Sequence, residues 1–133
     1  MAKLEVHVVT PEREVWVGDA DSVSARAVDG ELGVLPGHIP MLAALGIGVL
    51  TIVNGTERVE AAVDGGFLHV VSLGDDVTRV DVLAEHAELA GEIDVSRAAQ
   101  LRESAERQLG EESTPEARRD LARAQVRLRI TGN

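Results

Sequence analysis

The side chains best suited to bind a charged ligand lie in the C-terminal third of the chain. Asp94 and Arg97 are three residues apart, and Arg123 and Arg127 are four residues apart. In a helix, the four-residue spacing puts both guanidinium groups on one face, where they can grip phosphate oxygens. The other interpretation is that Asp94 only caps a helix and the arginines form a solvated face.

A second pair with acid–base character, Glu31 and His38, lies in a stretch rich in Gly and Pro. Catalysis by this pair needs a nucleophile or a third orienting residue, and the sequence offers neither. The four histidines lack the spacing of metal ligands, and cysteine is absent. The sequence therefore predicts no catalytic residue and no metal site, and it assigns Glu31 and His38 to turn chemistry and an interface contact.

Two other patterns resemble ligand loops only superficially. The acidic positions from Asp19 to Asp29 and at Asp75–Asp76 do not have the spacing of a calcium-binding loop. Gly65–Gly66 lacks the Lys-Ser/Thr that follows in a phosphate loop and does not open a helix. We interpret this glycine pair as a tight turn into a buried strand.

Composition excludes several classes of partner. The formal net charge is -10, and residues 1–84, with five basic and 13 acidic side chains, carry most of it. Such a surface repels nucleic acid and anionic lipid. The uncharged stretch from Val34 to Val53 is long enough to cross a bilayer, but prolines and glycines interrupt it. We therefore predict no membrane insertion, and the N-terminus lacks the apolar core of a signal peptide.

The N-terminal two thirds of the chain predicts short strands. Leu4, Val6 and Val8 alternate with polar residues, which is the period of a half-buried strand. Asn54–Gly55 is a strong hairpin signal. Further strands are predicted at residues 14–18, 22–28, 48–53, 58–64, 67–73 and 77–82. Turn signals every eight to twelve residues, with no helical segment between them, indicate an antiparallel β-sandwich.

The pattern changes after Ala84. Residues 85–92 are predicted to form a linker, after which Asp94 caps a helix that Gly110 ends. Thr114 and Pro115 begin a second helix, so the two helices form an antiparallel hairpin. Its seam is a thin stripe of Ala and Leu, so the hairpin should be only marginally stable alone. We expect it to rest on the sandwich, on a partner, or to switch between the two. The predicted domains are a sandwich over residues 1–87 and a hairpin over 88–133.

Two motifs resemble those of a known family. The stretch from Gly30 to Gly46, GELGVLPGHIPMLAALG, resembles the signature loop of the epsilon subunit of bacterial F-type (rotary) ATP synthases. Gly65 to Val70, GGFLHV, is similar to the second sandwich signature of that family. The resemblance implies a non-catalytic central-stalk subunit that couples proton translocation to ATP synthesis. It also implies a peripheral location on the cytoplasmic side of a bacterial cell membrane.

The same resemblance implies the partners. The sandwich would contact the gamma subunit and the c-ring of the membrane sector, and an extended hairpin would reach the alpha and beta subunits and inhibit ATP hydrolysis. The subunit-interface residues that the signature loop implies are Gly30, Glu31, Leu32, Gly33, Val34, Leu35, Pro36, Gly37, His38 and Pro40.

The hairpin contains a further family motif. Ile93 to Ala98, IDVSRA, is similar to the Ile-Asp-x-x-Arg-Ala motif through which some bacterial epsilon subunits bind ATP. The nucleotide-binding residues that the resemblance implies are Glu88, Ile93, Asp94, Arg97, Ala98, Arg123 and Arg127. Ser104 departs from the pattern, because ATP-binding members carry an additional arginine there. ATP would be a regulatory ligand, and no cofactor is required.

One alternative belongs to a different class of protein. A free-standing β-sandwich could sense a small ligand through its helical hairpin, with no requirement for gamma. A hydrolase ranks last, because no nucleophile–base pair is visible in the sequence.

Overall fold

The structure is a computed structural model that describes residues 2–133. Within these residues it contains eight strands, one short 3₁₀ helix and two α-helices. The strands are β1 (Leu4–Val9), β2 (Glu14–Ala20), β3 (Ser22–Ala27), β4 (Gly30–Val34), β5 (Met41–Asn54), β6 (Glu57–Gly74), β7 (Val77–Ala84) and β8 (Ala87–Leu89). The 3₁₀ helix is Ala90–Glu92, and the hairpin consists of α1 (Val95–Glu111) and α2 (Pro115–Ile130).

The sheet runs in the order β2-β1-β7-β6-β5-β3-β4, and β8 pairs with β6. The predicted fold class, an antiparallel sandwich followed by a two-helix hairpin, is confirmed. One neighbouring pair differs from the rest, because β1 and β7 run parallel, with Leu4 opposite Thr78 and Val9 opposite Leu83. More than 60 residues separate these two strands in the sequence, so no turn signal could specify their direction.

The core is aliphatic, as the scarcity of aromatic residues predicts. Strand β1 buries Leu4, Val6 and Val8 and leaves the alternate residues partly exposed. The same cluster takes in buried side chains from the other half of the sheet, among them Leu50 and Ile52. The sheet therefore folds around one core.

The Gly65–Gly66 pair is not a turn, and that prediction is wrong. Strand β6 continues through both glycines, and the predicted strands at 58–64 and 67–73 are one strand. Both glycines have positive φ, 85° and 121°. A Cβ on Gly66 would lie 2.1 Å from the carbonyl oxygen of Leu83. Glycine is required because the backbone of β7 approaches this closely while β6 keeps its pairing on both sides.

The signature loop is mostly strand. The turn lies at Val28–Asp29, Gly30–Val34 is β4, and the segment after Pro40 is the first part of β5. Only residues 35–40 lie outside strands. Backbone pairing with β3 explains the difference, since Gly30 lies opposite Ala27 and Val34 opposite Val23.

The residues after Ala84 are also more ordered than a linker. Strand β8 pairs with β6, with Ala87 opposite Val63, and it spans the predicted domain boundary between residues 87 and 88. Both predicted caps of the helical hairpin are present. Asp94 accepts a hydrogen bond from the backbone N–H of Arg97 at 3.0 Å, and Thr114 accepts one from Ala117 at 3.1 Å.

The predicted end of the first helix is wrong, because Gly110 lies inside α1, which continues to Glu111. Helix α2 packs against β5 and β6 as well as against α1, whereas α1 packs mainly on α2. The buried side chains of the two helices are small or aliphatic: Ala98, Ala105, Ala117, Ala124, Val126 and Leu128. The hairpin is therefore attached to the sandwich through α2.

Candidate functional site

A buried ion pair joins the hairpin to the sandwich. Asp64 lies on β6 immediately before the two glycines, and it is one of few buried polar residues. Arg127 on α2 donates from Nη1 to Asp64 Oδ1 at 3.0 Å and from Nη2 to Oδ2 at 2.7 Å. Two parallel N–H···O bonds between a guanidinium and a carboxylate form the strong bidentate arrangement. This contact links residues that are 63 positions apart in the sequence.

Arg127 has further partners around the same guanidinium. Nε donates to Glu88 Oε1 at 2.5 Å, and Nη1 donates to the carbonyl oxygen of Arg123 at 3.1 Å. The side chain is only 12% exposed. Burial by itself lowers the pKa of Arg127, but the hydrogen bonds from the guanidinium to Asp64 and Glu88 outweigh it, so the pKa lies above its ordinary value. Arg127 is therefore held in the charged form.

Arg123 lies one helical turn before Arg127 and contacts the sandwich less closely. Its Nη1 donates to Asp120 Oδ1 on the same helix at 2.9 Å, and its Nε lies 3.8 Å from Asp64 Oδ2. The side chain remains 30% exposed. We call Asp64, Glu88, Arg123 and Arg127 the tether cluster.

An open cleft of about 380 Å³ borders the tether cluster. It is lined by Thr10, Glu12, Arg13, Asp64, His86, Ala87, Glu88 and Arg127. On its rim Arg13 donates from Nη2 to Glu92 Oε1 at 2.7 Å, and Glu92 also accepts from the N–H of Leu89. These hydrogen bonds, Arg13 first, lower the pKa of Glu92 from its ordinary value of 4.5. The pKa of Arg13 is raised, chiefly by its hydrogen bond to Glu92.

The structure brings together three of the residues predicted to bind nucleotide: Glu88, Arg123 and Arg127. The others lie where α1 begins. Asp94 is the N-cap, Ala98 is buried, and Ile93 is half-buried. Arg97 is exposed, and within residues 2–133 its side chain makes no ion pair. Nucleotide binding by these residues stays a prediction.

Sequence reasoning missed Asp64. Its signal is a single carboxylate at the end of the apolar run Ala61-Ala62-Val63, which is buried in β6. A buried carboxylate requires a partner, so the run alone indicates that a cation must come from elsewhere in the chain. It does not indicate which of the eight C-terminal arginines supplies it.

The predicted interface residues line one end of the sandwich. Strand β4 is an edge strand, and the following loop exposes Leu35 by 63% and Ile39 by 74%. Thr78 anchors this loop by accepting a hydrogen bond from the N–H of Gly37 at 2.8 Å. Val34 belongs to the core and is not available to a partner. We call residues 35–40 the rim loop.

A second exposed apolar surface was not predicted as an interface. Phe67 on β6 and Leu83 on β7 lie opposite each other, and each is 50% exposed. Ala44 on β5 pairs with Phe67, and Val9 on β1 pairs with Leu83, so the four residues form one row across the sheet. An open cleft of about 370 Å³ lies along this row. We call these four residues the apolar row.

No group of three His, Cys, Asp or Glu side chains in residues 2–133 is arranged to hold a metal ion. Neither described α-helix has the length and hydropathy that crossing a bilayer requires.

The sandwich and the hairpin can be compared with known proteins. The family model for the ATP synthase, Delta/Epsilon chain, beta-sandwich domain matches residues 3–90. The ATP synthase epsilon chain of Thermobifida fusca is 51% identical over 131 residues, covering 96% of this chain and 90% of that protein. This chain belongs to the ATP synthase epsilon-chain family.

Other relatives extend the match through the hairpin. The epsilon chain of Halalkalibacterium halodurans is 43% identical over 133 residues, covering all of this chain and 95% of that protein. Among solved structures, a chain of the Euglena gracilis mitochondrial ATP synthase (OSCP/F1/c-ring) shares the fold with a TM-score of 0.71. It is 23% identical, and the alignment covers 99% of this chain and 79% of that one. The epsilon-chain family therefore accounts for both the sandwich, from β1 to β8, and the two helices.

Proposed function

We propose that this chain is a non-catalytic subunit of the central stalk of a bacterial F-type ATP synthase. Its sandwich docks on the gamma subunit and on the c-ring, and it couples proton translocation through that ring to ATP synthesis. The complex holds it peripherally at the cytoplasmic side of the bacterial cell membrane. Membership of the epsilon-chain family supports this function.

The observation that carries the docking role is the pair of exposed apolar surfaces on the sandwich. Neighbouring large apolar side chains at the surface mark protein–protein contacts. The rim loop is short and is anchored by Thr78, so its exposed Leu35 and Ile39 form a fixed surface that suits contact with the c-ring. The apolar row crosses four strands and borders a cleft, which suits a helix of gamma.

The hairpin is the regulatory part of the proposal. Helix α2 holds it on the sandwich through a few small and aliphatic side chains and the tether cluster, so little apolar area is lost when it detaches. In the extended state it contacts the alpha and beta subunits and inhibits ATP hydrolysis. ATP binding at Glu88, Arg123, Arg127 and the start of α1 favours the compact state. Ser104 removes one cation from that site, which reduces the affinity.

The test of docking is Phe67→Glu in the full chain, expressed with gamma. A carboxylate in the middle of the apolar row must be desolvated on docking, so we expect the variant to lose at least tenfold in affinity for gamma. Leu73→Glu is the matched control, because Leu73 is equally exposed on β6 but lies far along the strand from the row. Equal binding by Phe67→Glu and Leu73→Glu would contradict the proposed docking surface.

The alternative is a free-standing sensor. The cleft beside Arg127 favours it, since charged groups line that cleft. This function predicts that the unaltered chain does not co-purify with gamma at all. The same co-expression experiment therefore distinguishes the two functions before any variant is made.

A further inference from the structure

Arg127 in this structure is already paired with a carboxylate of the same chain. The two oxygens of Asp64 accept from Nη1 and Nη2 in the bidentate geometry that a phosphate group also uses. Glu88 and the carbonyl of Arg123 take two more of the five guanidinium N–H groups. With a single N–H left, Arg127 cannot bind a phosphate bidentately while Asp64 is in place.

The same pair also fastens the hairpin. Three ion pairs within residues 2–133 join the helices to the sandwich, and all of them use Arg123 or Arg127. Asp64 takes part in two of the three. The rest of the contact is made by small and aliphatic side chains of α2. Removing one partner of a buried pair is strongly destabilising, because the other charge is left uncompensated.

We propose that Asp64 competes with nucleotide phosphate for Arg127 and holds the hairpin on the sandwich when no nucleotide is bound. The competition rests on the nucleotide binding proposed above, whereas the attachment of the hairpin does not. Asp64 is thus a specificity-determining residue that lowers the affinity for phosphate-bearing ligands. The compact state then has two alternative anions, one built into β6 and one supplied by the ligand.

The balance of charges at the tether cluster predicts that loss of the Asp64 charge raises the affinity for phosphate. Asp64, Glu88 and Asp120 together offset the charges of Arg123 and Arg127, and both arginines lie within 4 Å of Asp64. Neutralising Asp64 leaves the two guanidinium groups facing two carboxylates instead of three. Such a site attracts a phosphate more strongly than the original one. The hairpin of the ligand-free chain is meanwhile less firmly attached.

The test uses Asp64→Asn in the full chain, with two measurements on each protein. Hydrogen exchange of α2 amides without ligand should accelerate on the order of 100-fold, as expected when a buried ion pair is broken. Calorimetric titration with ATP should show affinity increased about tenfold, because the internal competitor is gone. Asp120→Asn is the matched control, since Asp120 neutralises Arg123 from the same helix without reaching the sandwich. It should leave α2 exchange within about twofold of the unaltered chain.

If Asp64 has only a structural role, Asp64→Asn will show faster exchange but an ATP affinity that is lower or unchanged. That result would overturn the competition. Exchange no faster than in Asp120→Asn would overturn the attachment. If no variant binds ATP, the proposed nucleotide site and the competition both fail, and the exchange result still decides the attachment. If Asp64→Asn does not fold, the competition is tested by NMR on the unaltered chain. The resonance of the Asp64 carboxyl carbon must then shift at saturating ATP. Bound ATP without such a shift contradicts the competition.

Discussion

At the scale of single residues, Asp64 and Gly66, two positions apart in β6, have different structural roles. Gly66 lets β6 pass within contact distance of the Leu83 carbonyl, and Asp64 receives Arg127 on the same strand. Local sequence identifies the first of these positions as special, since paired glycines indicate positive φ. It cannot show that strand pairing continues through them, because that depends on β5 and β7. The sequence did not show the Asp64–Arg127 pair either, because its partners are 63 positions apart in the chain.

Gly66→Ala is the prediction at this scale. Its Cβ would overlap the Leu83 backbone, and φ of 121° is strained for any residue with a side chain. We expect a loss of roughly 3 kcal/mol or more in the free energy of unfolding, measured by chemical denaturation. Gly46→Ala is the control, because a Cβ there meets nothing within 4 Å. Gly66→Ala with the stability of Gly46→Ala would contradict this account of the close approach between β6 and β7.

At the scale of secondary-structure elements, the sequence predicted the strands and helices that depend on neighbouring residues. It missed the pairings between strands that are far apart in the chain. The alternation of Leu4, Val6 and Val8 specified β1, and Thr114 with Pro115 specified the start of α2. The parallel pairing of β1 with β7 and the attachment of β8 to β6 depend on strands remote in sequence. The candidate site followed the same division. Its arginines were predicted from helical spacing, whereas Asp64, the carboxylate that lies within 4 Å of both, was not.

The Arg13–Glu92 ion pair joins the turn after β1 to the 3₁₀ helix before the hairpin. It predicts that the stability of the fold depends on pH. The hydrogen bond from Arg13 lowers the pKa of Glu92, so the charged carboxylate stabilises the fold. That contribution is fully present above pH 4.5 and is lost as the pH falls through the lower folded-state pKa. In Arg13→Gln, NMR titration of the Glu92 carboxyl should give a pKa closer to 4.5, with the unchanged Leu89 N–H retaining part of the shift.

The control for that titration is Arg97→Gln, which removes an exposed arginine without an ion pair among residues 2–133. Its Glu92 pKa should equal that of the unaltered chain. If Arg13→Gln also leaves the Glu92 pKa unchanged, the ion pair does not hold the 3₁₀ helix in solution.

At the scale of the whole molecule, the two parts have separate surfaces, and the functions proposed for them are separate too. The rim loop and the apolar row belong to the sandwich, whereas the tether cluster is the charged contact between sandwich and hairpin. Removing the hairpin therefore exposes Asp64 and the surface under α2 but leaves both proposed docking surfaces intact. Assembly and regulation should separate cleanly in a truncated chain. Residues 1–92 retain β8 and the 3₁₀ helix, so they keep the complete sandwich.

The most direct test of this account measures ATP hydrolysis by the F1 sector reconstituted with either the full chain or residues 1–92. The account predicts that both proteins assemble with gamma in equal amounts and that hydrolysis is several-fold faster with the truncated chain. Equal assembly with unchanged hydrolysis would contradict a regulatory hairpin. Failure of the full chain to assemble would contradict the stalk function itself.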